Sequence, residues 1–474
     1  MPHCALSRTA TVALTLGFAT SSHAGAGFAL HGPAVTTGGL SNGQSLLSLS
    51  ANPAAASFDR TRAKDASVIG GVFMGAGVEY GDVEELFDQY DELAEAIADT
   101  NGVIEGISFN AFDPNAPDFA SIIAEAEVEA MRVVRLLDAV SDEGYANADA
   151  GLYTTFIINH NILGGTLGFE FDYSGSASAL SVIDPFNFDA NVAQTELDSA
   201  YMLMPGDPIT TFDLTGGITL TINPSTGDVT GSFSNDSLLA VRAAEKRSLG
   251  MSYSYAISTG SSQLHLGVKP KWVQMGLSRV VPRIGDITDS EALFDDIRDA
   301  EKETSSNFSL DVGALWVSQH LSLGVSAEDV LEPEFDFNEV DTSSYSAEVA
   351  AVIDGLSSYT QEAKISVEAS LYTADRSWAL SGYYEPQVTT DALGEEHQWM
   401  QLSAGWHGDN FWVPNVRLGY RTNRAGSEVS IYSLGVTLFR HLNLDVSSST
   451  DKVTIEGTSL PRGASASLGV TFAF

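Results

Sequence analysis

Charged side chains recur with strand spacing in several short segments of this 474-residue chain. Lys269 and Lys271 alternate with apolar residues in "LHLGVKPKWV", Arg417 and Arg421 do so in "VRLGYRTN", and Asp311 interrupts the apolar set of "FSLDVGALWV". In an extended strand, residues two apart share a face. Lys269, Lys271, Arg417 and Arg421 therefore stand on the non-apolar face, as do Glu170, Asp172, Asp311, Lys364 and Glu368 of other segments. A face so built can do one of two things. Its bases can pair with its acids and stiffen the sheet, or Lys269, Lys271, Arg417 and Arg421 can form a basic track that binds an anionic head group or solute. Both readings stay open on sequence.

Catalytic groupings are lacking. Of nine histidines, His3 and His23 lie in the first 24 residues. The remainder (His31, His160, His265, His320, His397, His407 and His441) are scattered, with no His-x-His or His-Glu-x-x-His spacing. "GAGVEYG" spaces its glycines wrongly for a dinucleotide loop. Asp336, Asn338 and Asp341 in "FDFNEVD" space like part of a calcium loop but lack its glycine. The sequence predicts no enzyme, no cofactor and no metal site. His160, His320 and His441 are expected at turns.

The elements that carry the charged face are strands. "HLSLGVSA" sets Leu321, Leu323 and Val325 against Ser322, Gly324 and Ser326; "LNLDVSSS" sets Leu442, Leu444 and Val446 against Asn443, Asp445 and Ser447. Period-two segments of about ten residues suit tilted membrane strands. They are read at 66–80, 147–159, 161–174, 237–257, 261–277, 304–318, 320–330, 361–373, 377–388, 397–407, 411–422, 428–439, 442–450 and 464–474. Very short links, such as that at His160, alternate with long ones along the chain. The fold predicted is all-β: a closed antiparallel transmembrane barrel of about 14 strands, because a sheet in lipid cannot leave an edge unpaired. A charge facing lipid at the midplane costs ~2–4 kcal/mol, so the charged face must be the lumen. The segment 175–236 contains "ITLTINPSTGDVTGSF", a hairpin turning at Asn223–Gly227, read as an external arm or as two further barrel strands. The last strand sets Leu468, Val470 and Phe472 towards lipid and ends on Phe474, so Phe472 and Phe474 form the expected assembly signal.

Composition supplies the address. "MPHCALSR", the apolar run "TATVALTLGFAT" and Ser22-His23-Ala24 read as a signal peptide over residues 1–24. Its cleavage removes Cys4, the only cysteine, and leaves 22 basic against 62 acidic residues. So negative a chain repels phosphates, and nucleic acid is not an expected partner. No window approaches 18 uninterrupted apolar residues, so no transmembrane helix is expected, although the mean hydropathy is +0.03. Residues 25–65 are rich in Gly, Ala and Ser and read either as a lumenal plug or as a flexible leader. In the acidic insertion at 81–146, Leu86, Tyr90, Leu93 and Ile97 share one helical face, and Ile123, Ala130, Val134 and Leu137 another. Asp118 is placed to cap the second helix, and the two predict a helical hairpin in the first external loop.

The order of these features (signal peptide, leader with Asn52-Pro53-Ala54, one strand, acidic insertion, barrel) resembles the conjugal-transfer TraF-like outer-membrane family. That family lies near the long-chain fatty-acid transporter (FadL-like) superfamily. "LHLGVKPKWV", "FSLDVGALWV", "LSLGVSAEDV" and "VRLGYRTN" are similar to its recurrent barrel segments. The resemblance implies a Gram-negative outer-membrane barrel (residues 66–474) with Asn52, Pro53 and Ala54 where the plug meets the wall. It implies outer-membrane lipid and the barrel-assembly machinery as partners. It leaves two functions open: a plugged passive channel for small hydrophobic or amphipathic molecules, or a structural component of envelope or conjugation assemblies. The acidic insertion departs from the fatty-acid transporters, and no ligand residue is carried over from them.

Overall fold

The computed structural model describes residues 31–41, 48–62, 67–81, 145–182, 189–200, 202–215, 217–233, 237–283, 300–455 and 457–474, together with Glu92, Ala96 and Arg132. Fourteen antiparallel strands close into one barrel. In chain order they are β1 (Val68–Tyr80), β2 (Tyr145–Ile162), β3 (Gly165–Val182), β4 (Leu238–Thr259), β5 (Ser262–Val280), β6 (Glu303–Val317) and β7 (Leu321–Glu328). The circuit continues with β8 (Lys364–Tyr372), β9 (Trp378–Tyr384), β10 (Trp399–Trp406), β11 (Asn415–Asn423), β12 (Ser430–Leu438), β13 (Leu442–Ser449) and β14 (Gly463–Ala473). Each strand pairs with its neighbour in sequence, and β14 returns to β1 in a register running from Ile69↔Ala473 to Glu79↔Gly463. The predicted strand count and short–long alternation are both present.

Burial along the strands is inverted relative to a water-soluble sheet. Leu380, Leu402 and Leu418 are 55–56% exposed, while Asp311, Lys269 and Arg417 are 0–5% exposed. A soluble protein buries its leucines and solvates its charges. This arrangement is stable only where the outer surface lies against lipid. Phe411, Trp412 and Phe439 pack against one another at the short-turn end, with Trp412 78% exposed, where an interfacial aromatic belt is expected.

One turn lies elsewhere than the sequence suggested. The β2–β3 hairpin turns at Leu163-Gly164, with φ of 51° and 88°, and not at His160, which falls within β2. Two successive positive φ values are what a two-residue type I′ turn requires, and Gly164 supplies one without strain. His320 and His441 do lie in links, each with its Nδ1 against a neighbouring strand's carbonyl, Tyr372 O and Thr471 O respectively.

At the other end the connections are long and folded. The hairpin turning at Asn223–Gly227 belongs to a separate three-stranded sheet (Thr210–Asp213, Ile218–Asn223, Asp228–Phe233), beyond a helix over Ala190–Ala200. It adds no strands to the barrel, because Phe212, Leu214, Leu220 and Ile222 are already buried within that external piece. The 329–363 loop pairs Glu334–Asp336 with Ser358–Thr360 and carries a helix over Ala347–Gly355, capped by Ser346 Oγ accepting the Val349 N–H. Phe335 and Phe337 of that loop, with Ala392 and Leu393 of the 385–398 loop, pack on Val273, Met275 and Leu277. Those three share parity with Lys269 and Lys271, so both loops fold into the mouth of the barrel. The signal peptide and the helical hairpin at 81–146 lie outside the described residues, apart from an ion pair of 3.3 Å between Arg132 Nη2 and Glu92 Oε1.

Candidate functional site

The leader occupies the lumen. Three short helices, Ala34–Thr37 (α1), Ser48–Ala51 (α2) and Ala55–Arg62 (α3), precede β1. Thr36, Leu49, Asn52, Ala54, Ala55 and Ala56 are 0–1% exposed. Asn52 Nδ2 donates to Ala314 O (3.4 Å) and Val325 O (3.3 Å) on β6 and β7, and its Oδ1 accepts the Ala54 N–H at 3.0 Å. Across the barrel, Thr36 Oγ1 donates to Asp445 Oδ1 on β13 (2.6 Å), while Thr36 O accepts from Gln401 Nε2 on β10 (2.9 Å). Further down, Ser57 Oγ lies 2.7 Å from His265 Nδ1, with the Phe58 ring edge-on to that imidazole. The leader therefore bridges opposite walls.

Glycines on the inner face make this fit. A Cβ on Gly267 would strike Ala54 N and the Pro53 carbonyl; one on Gly313 would strike Asn52, and one on Gly419 the Thr36 carbonyl. Each lies at the polar parity of its strand. These inward glycines were the sequence signal for the seat of the leader. Periodicity alone reads them as part of a wet wall.

The four basic residues all face inward. Cross-strand register places Lys269 opposite Asp311. Lys269 Nζ lies 2.6 Å from Glu170 and 3.0 Å from Asp311, and Lys271 Nζ lies 2.9 Å from Asp311 and 2.8 Å from Asp329. Arg417 reaches over Gly435 on β12 to pair with Asp445 on β13 at 2.9 Å, the carboxylate that also holds Thr36. The Arg421 guanidinium lies over the Trp399 ring, its Cζ 4.7 Å from the centroid, a favourable cation–π contact. Glu368 accepts the Ser41 N–H and faces Asn52 Nδ2. Lys269, Lys271 and Arg417 are thus each paired with carboxylates of the inner wall.

Above the leader is a chamber of about 330 Å³. Its floor is the leader itself, through His31, Ala34, Gly38, Gly39, Ser50 and Ala51. Lys269, Lys271, Glu170 and Asp172 stand on one wall and Trp399, Gln401 and Arg421 on another. The two inturned loops contribute Tyr359, Gln361, Glu362, Thr390, Asp391 and His397. In the 385–398 loop, burial pushes the Glu395 carboxyl up to about 7, and the nearby Asp391 charge adds to the shift. Burial opposes a charge on His397, but the carboxylate of Asp391, 3.1 Å from its Nε2, together with Glu395, outweighs that and holds it above the usual imidazole range.

Asn338 does not serve a cation loop: its side chain exchanges hydrogen bonds with the Arg279 backbone. Among the described residues no cluster of three or more His, Cys, Asp or Glu is arranged to hold a metal ion. At the closing seam, Phe472 stacks on Phe474 at 5.6 Å, and Phe474 exchanges backbone hydrogen bonds with Val68.

A family model described as "F plasmid transfer operon, TraF, protein" matches residues 50–384. Among solved structures, the chain is similar to the transport unit of the autotransporter AIDA-I from Escherichia coli, with 8% identity over 89% of this chain and 99% of that one, at a TM-score of 0.29. It is also similar to a mutant of the Rh. blastica porin, with 9% identity over 86% of this chain and 100% of that one, at a TM-score of 0.27. Likeness this distant carries no functional information. A search of curated proteins gives no match.

Proposed function

The chain belongs to the family described as the F plasmid transfer operon TraF protein, and on that premise we propose that it is an outer-membrane barrel that closes itself with its own leader, a plugged passive channel. The observation that carries this reading is the leader's hydrogen bonding to opposite walls, through Asn52 on one side and Thr36 on the other. The chamber above it opens among the long loops, which face the cell exterior when both chain ends lie in the periplasm. Solute would enter by diffusion, meet the leader as a floor, and pass only when that floor shifts. The charged lining supports an amphipathic or polar solute over a wholly hydrophobic one. Asn52, Pro53 and Ala54 act as the hinge of plug on wall, and Phe472 and Phe474 as the segment presented to the barrel-assembly machinery.

Conductance in planar bilayers tests the channel. Deleting residues 31–62 should raise single-channel conductance well above that of the full chain, while the barrel keeps its heat-modifiable mobility. A folded, plugless barrel that passes no current would overturn the reading. The second function, a structural partner in conjugal assemblies, is favoured by the family description and the folded external loops. It predicts that the same deletion leaves conductance at background and that trimming residues 189–233 abolishes transfer.

A further inference from the structure

The loops that roof the chamber have a one-sided charge. Residues 329–363 and 385–398 contain thirteen Asp and Glu and not one Lys or Arg. An entrance of one sign raises the local concentration of the opposite ion and steers it inward. Inside, seven carboxylates line the chamber against four lysines and one arginine. Those lysines are engaged: Lys269 and Lys271 by Glu170, Asp311 and Asp329, Lys364 by Glu328 at 3.3 Å, and Lys246 by Asp172 at 3.7 Å. An anion would have to strip these pairs to bind a lysine.

Acceptors remain at the roof. Gln361 is 7% exposed and lines the chamber, yet its Oε1 accepts no hydrogen bond from the protein. A buried carbonyl oxygen left without a donor is costly, and a ligand N–H removes the cost. Beside it in sequence, Glu362 lines the chamber with an exposed side chain, its Oε2 taking the Thr390 N–H at 3.0 Å. A carboxylate accepts several hydrogen bonds, so one backbone donor leaves capacity over. An amide carbonyl and a carboxylate on adjacent residues ask for a group that only donates and carries positive charge. A primary ammonium is that group: three donors and no acceptor.

We propose that the chamber is a binding site for a small organic cation bearing a primary ammonium, held at the roof by Gln361 and Glu362. The chamber's volume of about 330 Å³ admits an alkyl diamine of a few carbons with room to spare. This inference rests on the chamber alone and holds whether or not the barrel conducts.

The test is isothermal titration of the full chain, purified in detergent, with putrescine and in parallel with glutamate and with magnesium chloride. Saturable putrescine binding is expected, with no glutamate heat and with magnesium failing to compete. The variant Gln361→Ala/Glu362→Gln should weaken putrescine at least tenfold while keeping heat-modifiable mobility. Glutamate binding, magnesium binding in the same place, or putrescine binding unchanged in the double variant would each overturn the proposal. Putrescine binding to the full chain, with a plugless barrel that carries no current, would overturn the channel reading and leave this site standing.

Discussion

Single side chains in the lumen do two jobs, which sequence separates poorly. Parity puts Arg417 inside, but not that its partner Asp445 also takes the Thr36 hydroxyl of the leader. Removing one member of a buried pair strands the other, at a cost of ~3–5 kcal/mol. Arg417→Met should therefore destabilise the barrel by about that amount, and Arg417→Met/Asp445→Leu by much less; urea unfolding in lipid vesicles measures both, and equal losses would contradict the pairing. The 385–398 loop carries the pH dependence. Glu395 and His397 both titrate higher than usual, so each binds its proton more tightly in the folded loop than in the open one. Their contribution is fully present below the ordinary carboxyl range for Glu395 and below the ordinary imidazole range for His397. It is lost as pH rises through about 7 for Glu395 and through the raised value for His397. Amide hydrogen exchange across residues 389–398 should accelerate between about pH 5 and 8, beyond the intrinsic base-catalysed trend, and Glu395→Gln should flatten the part due to that carboxyl.

At the scale of elements, the strands were legible and the leader was not. Alternation is a local property: every residue of β13 reports its own face, so Asp445 can be placed inside from its immediate neighbours. The leader's seat depends on partners hundreds of positions away. Asn52 meets Val325, and Thr36 meets Asp445, across 273 and 409 residues. No short-range pattern encodes such contacts. The inturned loops escaped for a related reason, since Phe335 and Leu393 read as ordinary loop residues until Val273 and Leu277 are brought beneath them. Inner-face glycines, beside Asn52-Pro53-Ala54, were a legible trace. Gly267→Val would drive a branched side chain into Pro53 and Ala54 without touching the ladder or the lipid face. It should displace the leader and raise conductance in planar bilayers while the barrel stays intact; unchanged conductance would mean the leader is not the barrier.

For the whole molecule, the charge has a place. The chain is acidic by 39 charges, and the mouth loops account for thirteen acids without any balancing base. A barrel opened at its plug should thus favour cations over anions, with a selectivity that falls as salt is raised and screening shortens. Reversal potentials under a potassium chloride gradient measure this directly, and anion preference would contradict it. The neutral outer belt and the acidic end answer to different surroundings, which is why a mean hydropathy near zero describes neither.

Closure joins the two extremes of the chain. Gly32 hydrogen-bonds to Ser467, 435 positions on, and β1 pairs with β14 along its length. The leader, early in the chain, therefore finds its full seat only after the last strand has formed. Until then an open β1 edge and a sticky, charge-poor leader are displayed together, both hazards for association with other chains. A polypeptide truncated before β13 presents these two features permanently. Its incompleteness is written on its surface, whereas the finished barrel hides both features.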